Sequence, residues 1–411
     1  MKRELDQKNR IIRESYFDTA GNPVLCSAGY ASVSTIYDKE DNPYIQKYFD
    51  TEGNPASTKA LYAEIHRLYN KQHLCILEKY YDKDGSPLTL PGGYAMLETQ
   101  YDSSGRPYIQ KYLNAEGNPV INSSNYAEIH REYTPQNWIS KEMFFGTDGK
   151  PLTLPSGYAV IKRSFDEKGN PVITEYCDSN DVPVMTSMNY SSVHRRFNTL
   201  NQILYEEYFD IDNKPLLMPA GYAAVEYEYN DLGDPIRLKY YDLNGNHSNR
   251  QEGYAAVFRD YDQKRQIKKE VYLDTEGQPV ITSMHYAEIR KDYNDLRQVS
   301  REYYYDTEGK LLSLPSGYAS TAFEYDSSGD PIRFLFYGSD GSPVMRKEGY
   351  AEIFRTYDDN KRIASESYYD VHHLPTLCVD GYHKIEYERS DSGDLISIRY
   401  YDTSFNPVFI H

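Results

Sequence analysis

Residues 126–133 read YAEIHREY, and this short stretch decides the fold. Small or apolar side chains at its second, fourth and last positions alternate with Glu128, His130 and Glu132. A period of two is typical of a β-strand with one buried face. Steps of 32 residues from Tyr126, in both directions, always reach another tyrosine, which gives twelve anchor tyrosines without an insertion or deletion: Tyr30, Tyr62, Tyr94, Tyr126, Tyr158, Tyr190, Tyr222, Tyr254, Tyr286, Tyr318, Tyr350 and Tyr382.

Positions within a repeat are counted from the anchor tyrosine. A second strand is predicted at about +13 to +19, followed by Asp at +20, Gly at +23 and Pro at +25, as in DTEGNP at residues 50–55. Asp caps a turn with its side chain, Gly accepts a positive φ, and Pro ends a hydrogen-bond ladder. Each repeat is therefore predicted to be a β-hairpin plus a return loop. Residues 1–29 continue the register backwards as a partial first repeat, and residues 30–411 hold the twelve anchored repeats.

A single hairpin is only marginally stable in water, so each repeat must stack on its neighbours. The sequence therefore predicts an all-β fold, a solenoid of about 13 tandem β-hairpin repeats of 32 residues. We expect residues 1–411 to form a single continuous array. Because neither end shows a polar capping repeat, we also expect the chain to be a module of a larger protein.

Two types of hairpin alternate along the chain. In one type a proline stands in the hairpin turn, and Pro43, Pro107, Pro171 and Pro235 recur every 64 residues. The return loops alternate as well, with LTLP at residues 88–91 and VINS at residues 120–123, so the sequence predicts a 64-residue super-repeat. The alternation slips once, because Pro331 follows Pro235 after 96 residues. If the two types face opposite sides, this slip should perturb the superhelix near residues 254–318.

The composition excludes several classes of partner. The chain has 45 Lys and Arg against 62 Asp and Glu, a net charge of −17, without a basic block, so we expect no nucleic-acid binding. The sequence has no long apolar run, so we expect no membrane insertion. It also has no N-terminal hydrophobic segment, so no secretion signal is predicted. Four scattered cysteines without a CxxC pair indicate neither a zinc cluster nor a disulfide framework. The compartment stays open, although free cysteines favour the cytoplasm.

No sequence motif indicates catalysis. A nucleophile elbow, a glycine-rich phosphate loop and an HExxH motif are all absent, so no catalytic residue, cofactor or metal site is predicted. His66, His130 and His194 recur every 64 residues. Equivalent residues two hairpins apart are too distant to share a zinc ion, which predicts a solvent-facing column. Recurring polar residues instead offer the same weak site many times, as multivalent binders do.

Several segments resemble known repeat families. YYYDTEGK at residues 303–310 and SGY at 316–318 resemble the tyrosine-rich repeats of bacterial cell-wall-binding and choline-binding proteins and the oligopeptide repeats of clostridial toxins. YDSSGR at residues 101–106 is similar, more distantly, to the YD repeats of rearrangement-hotspot proteins. The first resemblance implies stacked aromatic hairpins with choline or sugar sites between repeats. Trp138 is the single tryptophan, whereas a choline cage needs several. The resemblance also implies a covalently linked catalytic domain that builds or binds surface glycopolymers.

The tyrosines divide into two predicted roles. Those at +7, +18 and +19 are predicted to stack as core ladders, with hydroxyls that reach water or a carbonyl. The anchor tyrosine shares a strand face with +2, +4 and +6 by alternation, so its ring is predicted to lie exposed in a groove. The candidate ligand-binding residues are Tyr62, Glu64, His66, Tyr94, Tyr126, Glu128, His130, Tyr158, Tyr190, His194, Tyr222, Tyr254, Tyr286, Glu288, Tyr318, Tyr350 and Glu352.

Two functions fit this pattern. The first is a non-catalytic repeat module that binds a repetitive bacterial surface glycan or teichoic-acid-like polymer and tethers it for an attached enzyme. The alternative is a protein-binding scaffold or rigid spacer in which all tyrosines are structural and the acidic surface keeps the array in solution.

Overall fold

The computed structural model describes residues 1–390 and 392–409. These residues form the following strands, numbered in chain order: β1 Lys2–Leu5, β2 Ile11–Ser15, β3 Ser32–Tyr37, β4 Pro43–Phe49, β5 Glu64–Tyr69, β6 Cys75–Tyr81, β7 Met96–Tyr101, β8 Pro107–Leu113, β9 Glu128–Tyr133, β10 Ile139–Phe145, β11 Val160–Phe165, β12 Pro171–Cys177, β13 Ser192–Phe197, β14 Ile203–Phe209, β15 Ala224–Tyr229, β16 Pro235–Tyr241, β17 Ala256–Tyr261, β18 Ile267–Leu273, β19 Glu288–Tyr293, β20 Val299–Tyr305, β21 Ser320–Tyr325, β22 Pro331–Tyr337, β23 Glu352–Tyr357, β24 Ile363–Tyr369, β25 Lys384–Arg389, β26 Leu395–Tyr401 and β27 Pro407–Val408. The all-β prediction is confirmed. None of the described residues belongs to a helix that could cross a membrane.

The chain divides into two compact units. The first unit holds residues 1–195 and 208–214, and the second holds residues 196–207 and 215–411. Within the first unit β1 to β13 pair in chain order, and within the second unit β14 to β27 do the same, always antiparallel. Within each unit, consecutive hairpins therefore contact one another, as the tandem-repeat prediction requires.

The strand register is the same in successive repeats. The second strand runs from +13 to +19, as β4 shows, which confirms the predicted bounds. Position +2 lies opposite +19 and +3 lies opposite +18, as in the pairs Glu64 with Tyr81 and Ile65 with Tyr80. Two faces follow from this register. The ladder face carries +3, +5, +16 and +18, and the opposite face carries +2, +4, +6, +15, +17 and +19.

Each repeat from Tyr30 to Tyr350 contains three turns of one design, which begin at +8, +20 and +28. In the second turn of the Tyr30 repeat, Oδ1 of Asp50 accepts hydrogen bonds from the backbone N–H groups of Glu52 at 2.9 Å and Asn54 at 2.8 Å. Gly53 supplies a φ of +86° there. The acidic residues at +20 are thus turn caps, as the sequence indicated.

An aromatic ladder forms the core on the ladder face. Within each unit, an anchor ring contacts the +18 ring of its own repeat and that of the preceding repeat, as Tyr62 does with Tyr80 at 5.2 Å and with Tyr48 at 5.7 Å. Ring centroids lie 4.8–6.2 Å apart from Tyr30 to Tyr208 and 4.6–6.2 Å apart from Tyr222 to Tyr400. Offset and edge contacts at these distances stabilise aromatic pairs beyond the area that they bury. The prediction of core ladder rungs is confirmed for +18, but it is wrong for +19, which lies on the opposite face.

The residue after the anchor is buried and small in almost every repeat. Ala159, Ala255 and Ala319 are completely buried, and the chain bends at this position before the strand begins. His383 occupies the same position in the last repeat and is also completely buried, with Nδ1 2.7 Å from the carbonyl oxygen of Tyr368. Because of this bend, the alternation of side chains between the two faces of the strand does not extend back to the anchor residue.

The tyrosines at +7 link consecutive repeats. The hydroxyl of Tyr69 donates a hydrogen bond to the carbonyl oxygen of Pro43, 26 residues earlier, and Tyr101 does the same to Cys75 at 2.7 Å. The same bond recurs in the second unit, where Tyr229 donates to Ile203. The prediction that these hydroxyls reach a carbonyl is confirmed.

The slip near residues 254–318 leaves the sheet unchanged. The pairs Ala256 with Leu273 and Glu288 with Tyr305 keep the +2 to +19 register. The return loops do respond, because in many repeats the N–H at +29 donates to the carbonyl oxygen at +30 of the preceding repeat, which requires a residue other than proline at +29. These bonds run from Lys59 to Ala28, Ser123 to Gly92, Ser187 to Ser156, Gln251 to Ala220, Ser283 to Glu252, Lys347 to Ser316 and Val379 to Glu348.

Candidate functional site

The anchor tyrosines lie on the ladder face and are covered by neighbouring rings. The prediction that their rings are exposed is wrong for Tyr190, Tyr254 and Tyr286, which are 8%, 7% and 9% exposed. The other predicted anchors are half-buried in the same ladder: Tyr62, Tyr94, Tyr126, Tyr158, Tyr222, Tyr318 and Tyr350. The bend at +1 turns each anchor ring away from the face that carries +2 and +4, so strand alternation assigned it to the wrong side.

The predicted polar residues lie on the opposite face, apart from the anchors. Glu64 contacts Nζ of Lys47 at 2.8 Å and Nε2 of His66 at 2.5 Å. Burial alone raises the pKa of Glu64, but the bonds from Lys47 and His66 outweigh it, and the pKa lies below its ordinary value. The ring of His66 lies against that of Tyr81, with centroids 4.5 Å apart and an interplanar angle of 42°. This side of the repeat is therefore occupied by its own ion pairs.

The equivalent residues in other repeats behave alike. Glu128 pairs with Lys111 and His130, Glu288 with Lys269 and Arg290, and Glu352 with Arg333 and His373. His194 lies 4.0 Å from the ring of Phe209, and burial lowers its pKa. The structure thus does not bring the anchor tyrosines and these polar residues into one groove. Ligand binding by either set stays a prediction.

Open grooves occur instead beside the first turn of the hairpin. We call each a turn groove: one wall is residues +8 to +14 of a repeat, and the other is +4 to +11 of the next repeat. Three turn grooves form cavities, with volumes of about 560, 370 and 480 Å³. They lie between residues 134–138 and 163–167, between 262–268 and 291–294, and between 326–332 and 354–361.

Each turn groove contains an aromatic ring at +7. The rings are Phe165, Tyr293 and Tyr357. The hydroxyl of Tyr293 donates to the carbonyl oxygen of Ile267 at 2.7 Å, and that of Tyr357 donates to Pro331 at 2.8 Å. These bonds hold the rings in place, and burial raises the pKa of Tyr293. A fixed aromatic surface is thus available in the two grooves that contain tyrosine.

Charged groups line the same grooves but are largely neutralised by neighbours. Arg163 lies 2.9 Å from Glu142, Lys291 lies 3.6 Å from Glu302, and Arg355 pairs with Glu366.

The acidic members of the walls take part in the turns themselves. In the first groove, hydrogen bonds from the side chain and backbone of Asn170 hold the pKa of Asp166 below its ordinary value. The rim of a turn groove is therefore polar without a strong excess of positive charge.

This arrangement suits binding better than bond-breaking chemistry. Within residues 1–390 and 392–409, no group of three or more His, Cys, Asp or Glu residues is placed to hold a metal ion. A fixed ring with amides, hydroxyls and carboxylates around it can stack on an apolar ligand face and exchange hydrogen bonds at its edges. The absence of enzyme activity stays a prediction.

Sequence reasoning missed the turn grooves because each is built from two consecutive repeats. The column at +12 carried a signal: its planar side chains cover the +7 ring of the next repeat. Arg10 lies 4.6 Å from the Tyr37 ring, and Arg106 lies 4.8 Å from the Tyr133 ring. A sequence that places Arg or Trp at +12 and an aromatic residue 27 positions later indicates this contact.

Comparison with known proteins gives only distant structural likenesses. No family model matches the sequence, and no curated protein matches it. A crystal structure of TcdB2-TccC3 without its hypervariable C-terminal region aligns with 98% of this chain at 11% identity and a TM-score of 0.39. The Tc holotoxin pore of Photorhabdus luminescens aligns with 90% at 10% identity and a TM-score of 0.34. This chain spans 23% and 16% of those two chains.

A porin-like protein from Bacteroides uniformis aligns with 58% of the chain at 8% identity and a TM-score of 0.23, over 88% of its own length. With TM-scores below 0.5, these likenesses are too distant to indicate a function. The strand pairing and the repeated groove define the class of protein: a tyrosine-rich tandem β-hairpin repeat array. The resemblance to choline-binding and clostridial repeats stays a prediction.

Proposed function

We propose that the array is a non-catalytic scaffold that binds a repetitive bacterial surface glycan, with contacts in the turn grooves. The recurrence of one polar and aromatic groove in three repeat pairs carries this proposal. A polymer with a repeating sugar can occupy several such grooves together, and weak sites then combine into a stronger interaction. The proposal moves the predicted contacts from the anchor tyrosines to positions +5 to +12.

The charge of the chain refines the choice of polymer. With a net charge of −17 and with the groove residues Arg163 and Arg355 already paired, an anionic teichoic-acid-like chain would meet repulsion. A neutral glycan meets no such cost. Tethering of that glycan for a covalently linked enzyme is part of the same proposal.

Calorimetry with a panel of purified cell-wall polysaccharides tests the proposal. The groove variant replaces Gln136, Gln263 and Asp359, exposed wall residues of the three grooves, with alanine. We expect this variant to bind at least tenfold more weakly than the parent chain. A matched control replaces three exposed residues of the second turn with alanine: Glu52, Glu276 and Glu308. No heat with any polymer, or an equal loss in the control, contradicts the proposal.

A rigid spacer is the second candidate, and the buried aromatic ladder favours it. Each anchor ring such as Tyr62 packs against the +18 rings of two consecutive repeats, so neighbouring hairpins stabilise one another. A stiff array requires such contacts. Deletion of residues 94–157 removes two whole repeats and should shorten the first unit by about 19 Å along the direction in which its strands stack. If a partner protein still binds while scattering reports the shorter length, the spacer reading is supported.

A further inference from the structure

One turn groove differs from the other two by its tryptophan. Trp138, the single tryptophan of the chain, stands at +12 between residues 134–138 and 163–167. The same column holds Gln266 and Asp330 in the other two grooves. The indole and the Phe165 ring have centroids 5.4 Å apart at an interplanar angle of 46°. Two aromatic groups therefore form adjoining walls in this groove.

The indole is seated by the following turn. Gly169 has a φ of +85°, and a Cβ at that position would lie 2.7 Å from Cε2 of Trp138. Only glycine leaves room for the ring to lie against this backbone. The hydroxyl of Thr134 accepts a hydrogen bond from the backbone N–H of Trp138 at 3.3 Å. The position of the indole is thus defined without a ligand, which reduces the ordering cost of binding.

Polar groups surround this aromatic pair. Gln136, Ser164 and Glu167 line the cavity and are exposed, so an amide, a hydroxyl and a carboxylate face the solvent at its rim. The Arg163 guanidinium is held by Glu142 at 2.9 Å. The cavity of about 560 Å³ lies within the range of small-molecule sites.

We propose that the Trp138 groove is a binding subsite for one neutral pyranose unit, and this proposal rests on the glycan-binding function above. The C–H groups on one face of a pyranose stack on the indole. Its hydroxyls exchange hydrogen bonds with Gln136, Ser164 and Glu167. Because the one cation of the groove is paired, an anionic sugar gains nothing from it.

The single tryptophan makes the fluorescence of the whole chain a reporter of this groove. The intact chain is titrated with laminarihexaose, cellohexaose, chitohexaose and maltohexaose while indole emission is recorded. We expect a saturable change in emission with at least one of these neutral oligosaccharides. The Gln136→Ala and Glu167→Ala variants should each weaken that titration three- to tenfold. Glu276→Ala, an exposed second-turn residue outside the grooves, is the matched control and should leave it unchanged.

The outcomes separate the subsite from the general function. Heat of binding in calorimetry without any change in indole emission overturns the subsite and leaves glycan binding in place. An emission change that is identical in the parent chain and in a Gln136→Ala/Glu167→Ala double variant also overturns it. No heat and no emission change with the four sugars and the polysaccharide panel overturns both proposals. Circular dichroism of each variant shows that the β-structure is intact.

Discussion

The return loops of the two compact units are grouped differently. In the first unit the loops are hydrogen-bonded in pairs, and in the second unit they are bonded in runs of three. The pairs are residues 25–29 with 57–61, 89–93 with 121–125, and 153–157 with 185–189. The runs of three are 217–221, 249–253 and 281–285, followed by 313–317, 345–349 and 377–381. The strand register is the same in both units, as the pairs Glu64 with Tyr81 and Ala256 with Leu273 show, so this difference lies in the loops.

A single residue type explains the grouping. The first loop of the second and third pairs contains Pro91 and Pro155, respectively. The first loop of the two runs of three contains Pro219 and Pro315. Proline at +29 has no N–H and cannot donate to the loop before it. Every other loop in a group has a donor at +29, as Gln251 and Lys347 do. The +29 prolines are separated by 64 or 96 residues, and these spacings are the lengths of the loop groups. The sheet itself repeats every 32 residues.

The largest expected effect tests whether the sheet core is the same in both units. Phe144 and Phe336 are 5% and 4% exposed and have near-identical ring contacts, 5.0 and 6.2 Å against 4.9 and 6.2 Å. Phe144→Ala and Phe336→Ala should each lower the free energy of unfolding by about 3–5 kcal/mol. Urea unfolding of both variants measures this. A difference of more than about 2 kcal/mol between them would show that the units differ in their cores as well.

Glycine substitutions in the loops should have the next largest effect. Gly157 and Gly253 both stand at +31, with φ of +92° and +90°. Alanine at either position pays the left-handed strain of about 1–2 kcal/mol. At Gly157 the added Cβ would also lie 3.3 Å from the carbonyl oxygen of Met185, whereas at Gly253 nothing lies within 4 Å. Thermal unfolding should therefore place Gly157→Ala below Gly253→Ala, and the reverse order would contradict this loop geometry.

Substitution by proline at +29 should divide a loop group. Ser187→Pro splits a pair and Ser283→Pro splits a run of three, because each removes a donor bond of 2.9 or 2.8 Å. Each should cost about 1 kcal/mol. Proline already occupies this column at Pro155, so the backbone accepts it. Hydrogen exchange should quicken at neighbouring loop amides in both variants. If the hydrogen-exchange rates of these loop amides are the same in the parent chain and in the proline variants, these bonds do not hold the loops together.

The smallest expected effect is that of a single ladder hydroxyl at high pH. Burial raises the pKa of Tyr382 to about 12 from an ordinary value of 10.0. Because the folded-state pKa is the higher one, this contribution to stability is complete below pH 10 and is lost as the pH rises through about 12. Burial also raises the pKa of Tyr30 in the first unit.

Tyr382→Phe and Tyr30→Phe should each flatten the alkaline decline of the free energy of unfolding. Solvent screening keeps both effects small, because these rings are half-buried. The decline is measured by denaturant unfolding at a series of pH values above 10. A steeper decline in either variant would contradict the sign.

The sequence predicted the repeated elements well because they depend on local pattern. Strand alternation and turn residues placed the +13 to +19 strand and the Asp50 turn where the structure has them. The error at the anchors arose at the Ala63 position, where a bend that the pattern does not encode moves Tyr62 to the other face. The groove beside Trp138 and Phe165 was missed because its walls come from two repeats. Contacts between neighbours are set by stacking, which a single repeat does not reveal.

The hydrogen bond from each +7 hydroxyl has a direction along the chain. Tyr133 donates back to Pro107, and Arg131 donates back to Gln110, so the later repeat binds groups that the earlier repeat already presents. The loop donor at Ser123 also points backward, to Gly92. During synthesis from the N-terminus, each emerging hairpin thus finds a finished surface to dock on. The array is suited to co-translational folding, in which each repeat folds onto the one before it while the rest of the chain is still being synthesised.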